Sequence, residues 1–315
     1  MGRAVAAAII VVIVGPGCQG EPRVSPIPTT DTAGGTPIED RIVQATAPEA
    51  DVLFVIDNSG SMEDDQEAMA EELPRFVQTL QAWGVDYHVG VTTTDTESEA
   101  TRGRLLVADG VRFVTPDLPD PVDTLAEMIR VGTEGAAVER GLLATYLALE
   151  TYRNRDENRG FVRPDVPLST VVVSDEDDET ETEITVNEFV DWYAGLREPA
   201  DRTFSAVVAL QSIGQSQRGR RYLQVAGDVG GVVQDIDGGQ WAVALEALGL
   251  RTAGLRQDFV LSQVPNPDTL EVDLERGDAV IEVAGVRYEP DRNAVVLDVR
   301  PEPSDVVVIR YRTLR

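Results

Sequence analysis

Oxygen-bearing residues at the end of a predicted strand are the part of this sequence best suited to chemistry. Asp57, Ser59 and Ser61 follow an apolar run at 52–56 in the pattern D-x-S-x-S. Side chains at alternate positions of one tight loop can face a single point. One carboxylate with two hydroxyls forms part of a shell for a hard divalent cation. The loop therefore predicts a cation site, with Mg²⁺ as the expected ion and Mn²⁺ or Ca²⁺ as alternatives.

Two further loops add oxygen donors to this set. Thr133 lies in a Gly-Thr-Glu-Gly segment before a predicted helix at 138–152, and Asp175 follows a Val-rich predicted strand at 168–174. In an open α/β sheet, ligands bind at the carboxyl ends of the strands, where such loops meet. Hydroxyl donors leave a bound ion with net positive charge, so that it can accept a further carboxylate from a partner. The loops at 131–135 and 174–175 are therefore expected to add oxygen ligands to those of the first loop.

Acidic residues beside these loops leave two interpretations open. The run at 175–183 holds seven acids in nine residues. It is either a solvated acidic loop or part of a second cation site, for which Ca²⁺ is the natural ion. Glu134 directly follows Thr133 and could compete as a ligand. The candidate accessory acids are Glu134, Glu176, Asp177 and Asp178.

Composition excludes several other classes of site. The 315 residues include 27 Lys+Arg against 55 Asp+Glu, a formal net charge of −28, and every basic residue is Arg. Phosphate loops and Schiff bases that need Lys are therefore excluded. With His88 and Cys18 as the only residues of their types, a zinc site of several Cys or His ligands is excluded too. No nucleophile motif accompanies His88, which we interpret as structural. The acidity argues against nucleic acid as a partner, and no small-molecule cofactor is expected.

The first 17 residues have the features of a secretory signal. A basic start precedes an apolar run at 4–14, which is too short to span a bilayer but suits the core of a signal peptide. Residues 15–18, Gly-Pro-Gly-Cys, resemble the lipobox of bacterial lipoproteins, in which the cysteine becomes the lipidated first residue of the mature chain. Gly15 stands where that motif has an aliphatic residue, so an ordinary cleaved signal with an incidental Cys18 is the alternative. Gln19 after the cysteine implies the outer membrane, if the resemblance holds.

The pattern along the chain predicts four segments. A signal peptide at 1–17 is followed by a tether rich in Pro, Thr and Gly at 18–48. Buried strands alternate with amphipathic helices over 49–252, which predicts a doubly wound, mostly parallel α/β sheet with helices on both faces. Short Val-rich runs separated by turn residues predict a small antiparallel all-β module at 253–315.

These motifs together resemble the von Willebrand factor type A domain. The D-x-S-x-S loop, the Gly-Thr loop before a helix and Ser174-Asp175 at the end of a strand occur in that order within residues 49–250. The resemblance implies a Rossmann-like α/β fold with a metal-ion-dependent adhesion site. Family members often have Asp-Gly where Asp175-Glu176 stands, so the third loop can differ in shape. By this resemblance the two serines and the threonine bind the ion directly, whereas the two aspartates often act through water: Ser59, Ser61 and Thr133, then Asp57 and Asp175.

The sequence thus predicts a binding module rather than an enzyme. It would be a metal-dependent adhesion protein of the cell envelope, anchored by an N-terminal lipid in the outer membrane, or otherwise secreted or periplasmic. A protein or glycan partner would offer the carboxylate that completes the ion's shell. One alternative is a structural envelope lipoprotein whose loops bind no metal. The other is a metal-dependent hydrolase with Glu134, Glu176 or Asp177 as the general base.

Overall fold

The computed structural model describes residues 9–13, 35–44, 49–136, 138–214, 216–255, 257–290 and 293–313. The chain divides into two compact units. The larger unit spans residues 47–253, and the smaller combines the described residues before 47 with those after 253. Cys18 and most of the predicted signal peptide and tether lie outside the described residues.

The described residues form fourteen strands and six α-helices. The strands are Ile9–Ile13 (β1), Pro37–Val43 (β2), Glu49–Ile56 (β3), Asp86–Thr93 (β4), Phe113–Val114 (β5), Leu168–Ser174 (β6), Arg202–Val208 (β7), Val233–Asp235 (β8), Asp258–Val260 (β9), Glu271–Arg276 (β10), Ala279–Glu282 (β11), Val286–Glu289 (β12), Ala294–Leu297 (β13) and Val306–Arg312 (β14). The helices are Glu63–Ala82 (α1), Pro121–Ile129 (α2), Gly141–Tyr146 (α3), Val186–Ala194 (α4), Arg220–Val229 (α5) and Trp241–Thr252 (α6). A π-helical turn at Leu147–Thr151 continues α3.

The larger unit is built on a six-stranded sheet in the order β5-β4-β3-β6-β7-β8. Every neighbouring pair is parallel except β4 and β5. The central strands β3 and β6 are buried almost throughout, because helices cover both faces of a parallel sheet. Leu53 packs in a cluster with residues of α3, α4 and α5, whereas Phe54 on the other face meets Phe76 of α1, with ring centroids 5.5 Å apart. The predicted α/β fold class is confirmed.

Local hydrogen bonds help to fix where two helices of the larger unit begin. Helix α4 begins at a capping box, in which the Thr185 hydroxyl accepts from the Glu188 backbone N–H and the Glu188 carboxylate accepts from the Thr185 backbone N–H. The predicted helix at 138–152 begins later than expected, at Gly141. Arg140, the residue before this helix, is not helical, and its backbone N–H donates to Thr94 O at 3.2 Å.

The smaller unit contains two sheets, β1-β2-β14-β10-β11 and β12-β13-β9. All neighbouring pairs are antiparallel except β1 and β2. An apolar core that includes Val272, Val295 and Ile309 lies within this unit. The antiparallel strands predicted after residue 253 are confirmed.

One strand of this unit lies where the sequence predicts a tether. Residues 37–43 form β2, which pairs along its whole length with β14, so the tether prediction does not hold there. Within β2, Ile38 joins the apolar core, and Asp40 accepts hydrogen bonds from Ser262 and from the Tyr311 hydroxyl. Pro, Gly and Thr are abundant around this segment, and that composition favours a tether. The strand is buried by residues far along the chain, which the composition does not reveal.

Among the residues that the structure describes, no helix combines the length and the apolar character that crossing a bilayer requires.

Candidate metal-binding site

The carboxyl ends of β3 and β6 bring two of the predicted loops together. The two strands are parallel neighbours, and Asp57 N, directly after β3, donates to Val173 O at 2.9 Å. Asp175 directly follows β6. Adjacent parallel strands end at the same edge of a sheet, so Asp57 and Ser174 become neighbours although they are 117 positions apart in sequence.

Hydrogen bonds connect four of the five predicted ligands into one network. Asp57 is fully buried and accepts from Ser59 N at 2.7 Å and from Ser174 Oγ at 2.6 Å. The hydroxyls of Ser59 and Ser61 are 3.1 Å apart. Ser61 Oγ donates to Asp175 Oδ1 at 3.2 Å, so the first and third loops share a polar face.

Gln66 holds the second loop against the first. Its side-chain Nε2 donates to Asp57 O at 3.0 Å and to Gly132 O at 2.9 Å, while Gly132 N donates to its Oε1 at 3.2 Å. On the other side of Thr133, Gly135 N donates to Asn58 O at 2.9 Å. Thr133 is half-buried and lies between these two attachments. The three loops predicted from the sequence therefore meet, although the sequence did not single out Gln66.

Gly135 is required by the close approach of these loops. A Cβ atom added at this position would overlap the Asn58 side chain. Asn58 is itself buried, and its Oδ1 accepts no hydrogen bond. The second loop can thus lie directly on the first only because residue 135 has no side chain.

Burial and mutual repulsion disfavour the charged forms of the acids at this edge. The pKa of Asp57 is raised by burial, against the opposing effect of the hydrogen bonds from Ser174 and Ser59. The pKa of Asp175 is raised by burial and then by the nearby charge of Asp57. Burial and the same two aspartates raise the pKa of Glu176. A cation among these groups would reverse that effect, because it favours the ionised carboxylates.

Glu139 is an acid of this edge that the sequence analysis missed. It is 1% exposed, and neither of its carboxylate oxygens accepts a hydrogen bond. Burial, followed by repulsion from Asp57, raises the pKa of Glu139 to about 9. Nothing in the local sequence distinguishes Glu139 from the many exposed acids of this chain, so only its burial identifies it.

The accessory acids have different surroundings. Glu134 is exposed. Asp177 accepts from Arg220 Nε at 3.1 Å and from Arg221 N at 2.9 Å. Asp178 is buried and accepts from the backbone of Leu142 at the start of α3, from Thr180 and from Arg221 Nε.

The run at 175–183 is therefore not simply a solvated acidic loop, because Asp178 serves as a buried anchor. Within the described part of the chain, no three His, Cys, Asp or Glu side chains group as metal ligands. The second-cation hypothesis thus gains no support from this run. The fit of a cation to the first site depends on hydroxyls combined with Asp57 and Asp175, a set of hard oxygen donors that suits Mg²⁺ or Mn²⁺.

His88 lies on β4, away from the carboxyl edge of the sheet that carries the candidate site. It is paired in register with Asp51 near the opposite end of β3. Its Nδ1 is 2.9 Å from Phe161 O, and its ring centroid is 4.5 Å from that of Phe113. These contacts fit the structural role that the sequence suggests.

Comparison with known proteins gives structural similarities at low sequence identity. The chain is similar to a von Willebrand factor type A protein from Catenulispora acidiphila, at 12% identity over 91% of this chain and 67% of that chain, with a TM-score of 0.44. It is also similar to the pilus adhesin SpaC from Lactobacillus rhamnosus GG in its open conformation, at 11% identity over 86% of this chain and 39% of that chain, with a TM-score of 0.42. A third similar structure is proximal thread matrix protein 1 from the mussel byssus, at 13% identity over 68% of this chain and 48% of that chain, with a TM-score of 0.39. The chain spans less than half the length of the last two proteins. No family model matches the sequence, and no curated protein matches it.

Proposed function

We propose that this protein is a metal-dependent binding module whose cation bridges to a carboxylate of its partner. The observation that carries the proposal is the network at the carboxyl edge of the sheet. There Ser61 of the first loop donates to Asp175 of the third, and the second loop is attached on either side of Thr133. Residues far apart in sequence converge there with hard oxygen donors.

The residues that would hold the ion form a set with two carboxylates and three hydroxyls. A bound Mg²⁺ or Mn²⁺ would supply a positive centre with a free coordination position for an anionic ligand. The chain's own residues prepare this place: Gln66 fixes the second loop, and Ser174 orients Asp57 through its 2.6 Å hydrogen bond. The proposed ligands are Asp57, Ser59, Ser61, Thr133 and Asp175.

The partner's chemistry follows from the charge of the whole molecule. A net charge of −28 repels anions, so an acidic partner needs a local positive centre to bind here. We propose a protein or glycan carboxylate as that partner group. Binding should then require the divalent ion and disappear in excess chelator.

The site of action is proposed from the N-terminal segment. Residues 1–18 resemble a lipoprotein signal, and lipid on Cys18 would anchor the chain in the outer membrane. In Gram-negative host cells, Cys18→Ser should move the protein from the membrane fraction to the soluble envelope fraction. Equal recovery of both forms in the membrane fraction would contradict lipid anchoring.

Metal binding to the purified chain tests the central proposal. Millimolar Mg²⁺ or Mn²⁺ should raise the melting temperature, since an ion at 100 times its Kd adds about 2.7 kcal/mol to the free energy of unfolding. Asp57→Asn and Ser61→Ala should remove this shift. Asp191→Asn, a substitution at an exposed residue on α4, is the matched control and should keep it.

The same experiment separates the proposal from a purely structural role. The hydrogen bonds from Ser61 to Asp175 and from Ser174 to Asp57 already hold the loops together without an ion. A structural envelope protein would therefore show no thermal shift at millimolar metal in any of these variants, and that outcome would rule out the metal-dependent function.

A further inference from the structure

Glu139 differs from the other buried acids of the described chain in having no partner for either carboxylate oxygen. Asp51 forms an ion pair with Arg163 at 2.8 Å, and Asp178 one with Arg221 at 3.0 Å. Asp40 accepts hydrogen bonds from Ser262 and Tyr311. A buried carboxylate without such a partner is strongly destabilising unless a proton or a cation neutralises it.

The backbone on both sides holds Glu139 at the carboxyl edge of the sheet. Glu139 O accepts from Glu179 N at 2.7 Å, which ties it to the loop after β6. The next residue, Arg140, donates its N–H to Thr94 O at 3.2 Å, while Thr94 N donates to Ile56 O at 3.1 Å. These bonds join Glu139 to the ends of β3, β4 and β6.

Asp57 is the charged neighbour of Glu139. Burial is the largest cause that raises the pKa of Glu139, and repulsion by Asp57 is the next. Repulsion by Asp175 and Glu176 adds to it. Two buried acids side by side, one of them without any donor, form a place that favours positive charge.

We propose that Glu139 contributes its carboxylate to the same cation site as Asp57, as an additional acidic ligand. This inference rests on the proposed metal site. It adds a third carboxylate to Asp57 and Asp175 and thereby increases the affinity of the site, because ligand charge is a main determinant of affinity for divalent cations. The three carboxylates are not a preassembled cluster in the described residues. For Glu139 to join Asp57 and Asp175 as a ligand, its side chain would therefore have to move toward the ion.

Titration of the purified chain with Mn²⁺ by calorimetry tests this role. Glu139→Gln keeps the size of the side chain but removes its charge, and it should weaken Mn²⁺ binding at least about tenfold. Glu139→Asp keeps the charge on a shorter side chain and should recover part of the lost affinity. Glu127→Gln, at an exposed residue of α2, is the matched control and should leave the affinity unchanged. Circular dichroism verifies that each variant is folded.

The outcomes separate this inference from the proposed function. If Asp57→Asn abolishes Mn²⁺ binding while Glu139→Gln leaves it unchanged, the site stands and the role of Glu139 is refuted. If the unmodified chain binds no Mn²⁺, the proposed function fails and this inference fails with it. If Glu139→Gln does not fold, the inference depends on Glu139→Asp, which must lower the affinity, and an unchanged affinity in that variant would refute it.

Discussion

The side chain of Asp57 is the centre of the candidate site at the scale of single residues. It is fully buried, and its two oxygens accept from Ser59 N and Ser174 Oγ. Those hydrogen bonds favour the charged form, whereas burial opposes it and raises the pKa of Asp57. The orientation of Asp57 is therefore fixed before any ion arrives, and its charge is the feature that an ion would stabilise.

The titration of Glu139 predicts how the stability of the ion-free protein depends on pH. Burial raises the pKa of Glu139 to about 9 from an ordinary value of 4.5. Between these values the folded state holds a proton that the unfolded state has lost, so the free energy of unfolding falls as the pH rises. Burial raises the pKa of Asp65 to about 6, so that residue contributes at lower pH only.

We therefore expect urea unfolding in the presence of EDTA to show decreasing stability from pH 6 to pH 9. The Glu139→Gln variant should show a smaller decrease over that range, because it has no proton to lose at this position. Equal slopes for the two proteins would mean that Glu139 is ionised in the folded state at neutral pH.

Loops rather than helices or strands carry the site at the scale of elements. Strands β3 and β6 fix where the first and third loops begin, and hydrogen bonds between the Gln66 side chain and the backbone fix how the second loop lies on the first. The second loop leaves no room for a side chain at residue 135, because its backbone at Gly135 lies against Asn58.

Gly135→Ala should displace the second loop and weaken metal binding. The added Cβ overlaps the Asn58 side chain, so the segment that carries Thr133 has to move away from Asp57. We expect a smaller Mn²⁺-dependent thermal shift, measured by differential scanning fluorimetry.

Gly227→Ala on α5 is the control for this substitution. A Cβ atom at that position meets nothing within 4 Å, and alanine favours a helix over glycine by about 0.5–1 kcal/mol. It should therefore raise the melting temperature slightly and keep the metal response. A Gly135→Ala protein with the full Mn²⁺ shift would show that the second loop does not contribute to the site.

At the scale of the whole molecule, the smaller unit depends on a strand from the N-terminal side of the larger one. Strand β2 pairs with β14, and Arg41 and Glu275 form a two-bond ion pair between β2 and β10. Ile38 is 3% exposed and belongs to the core of this unit. The chain on both sides of the larger unit thus makes one sheet.

Ile38→Ala should destabilise this sheet by about 2–4 kcal/mol, because it removes buried apolar volume and leaves a cavity. Hydrogen exchange measured by mass spectrometry should show faster exchange at residues 306–312, which form β14. Val43→Ala, at the exposed end of β2, is the control and should leave that exchange nearly unchanged. If Ile38→Ala had no effect on β14, residues 37–43 would behave as the tether that composition suggests.

The sequence by itself determined the elements whose signal is local. Apolar runs gave β3 and β6, the Thr185–Glu188 capping box gave the start of α4, and alternation of strands and helices gave the fold class. It also placed the first and third predicted ligand loops at the same edge, because the parallel neighbours β3 and β6 end together.

Tertiary structure decided the features that depend on contacts between distant residues. No distinctive local pattern marks Glu139, Gln66 or the strand at 37–43. Glu139 acquires its role from Asp57, Gln66 from Gly132, and the strand from its pairing with β14, all of them far along the chain. Burial and repulsion between charges are properties of a packed neighbourhood, and residue spacing in the sequence does not determine that neighbourhood.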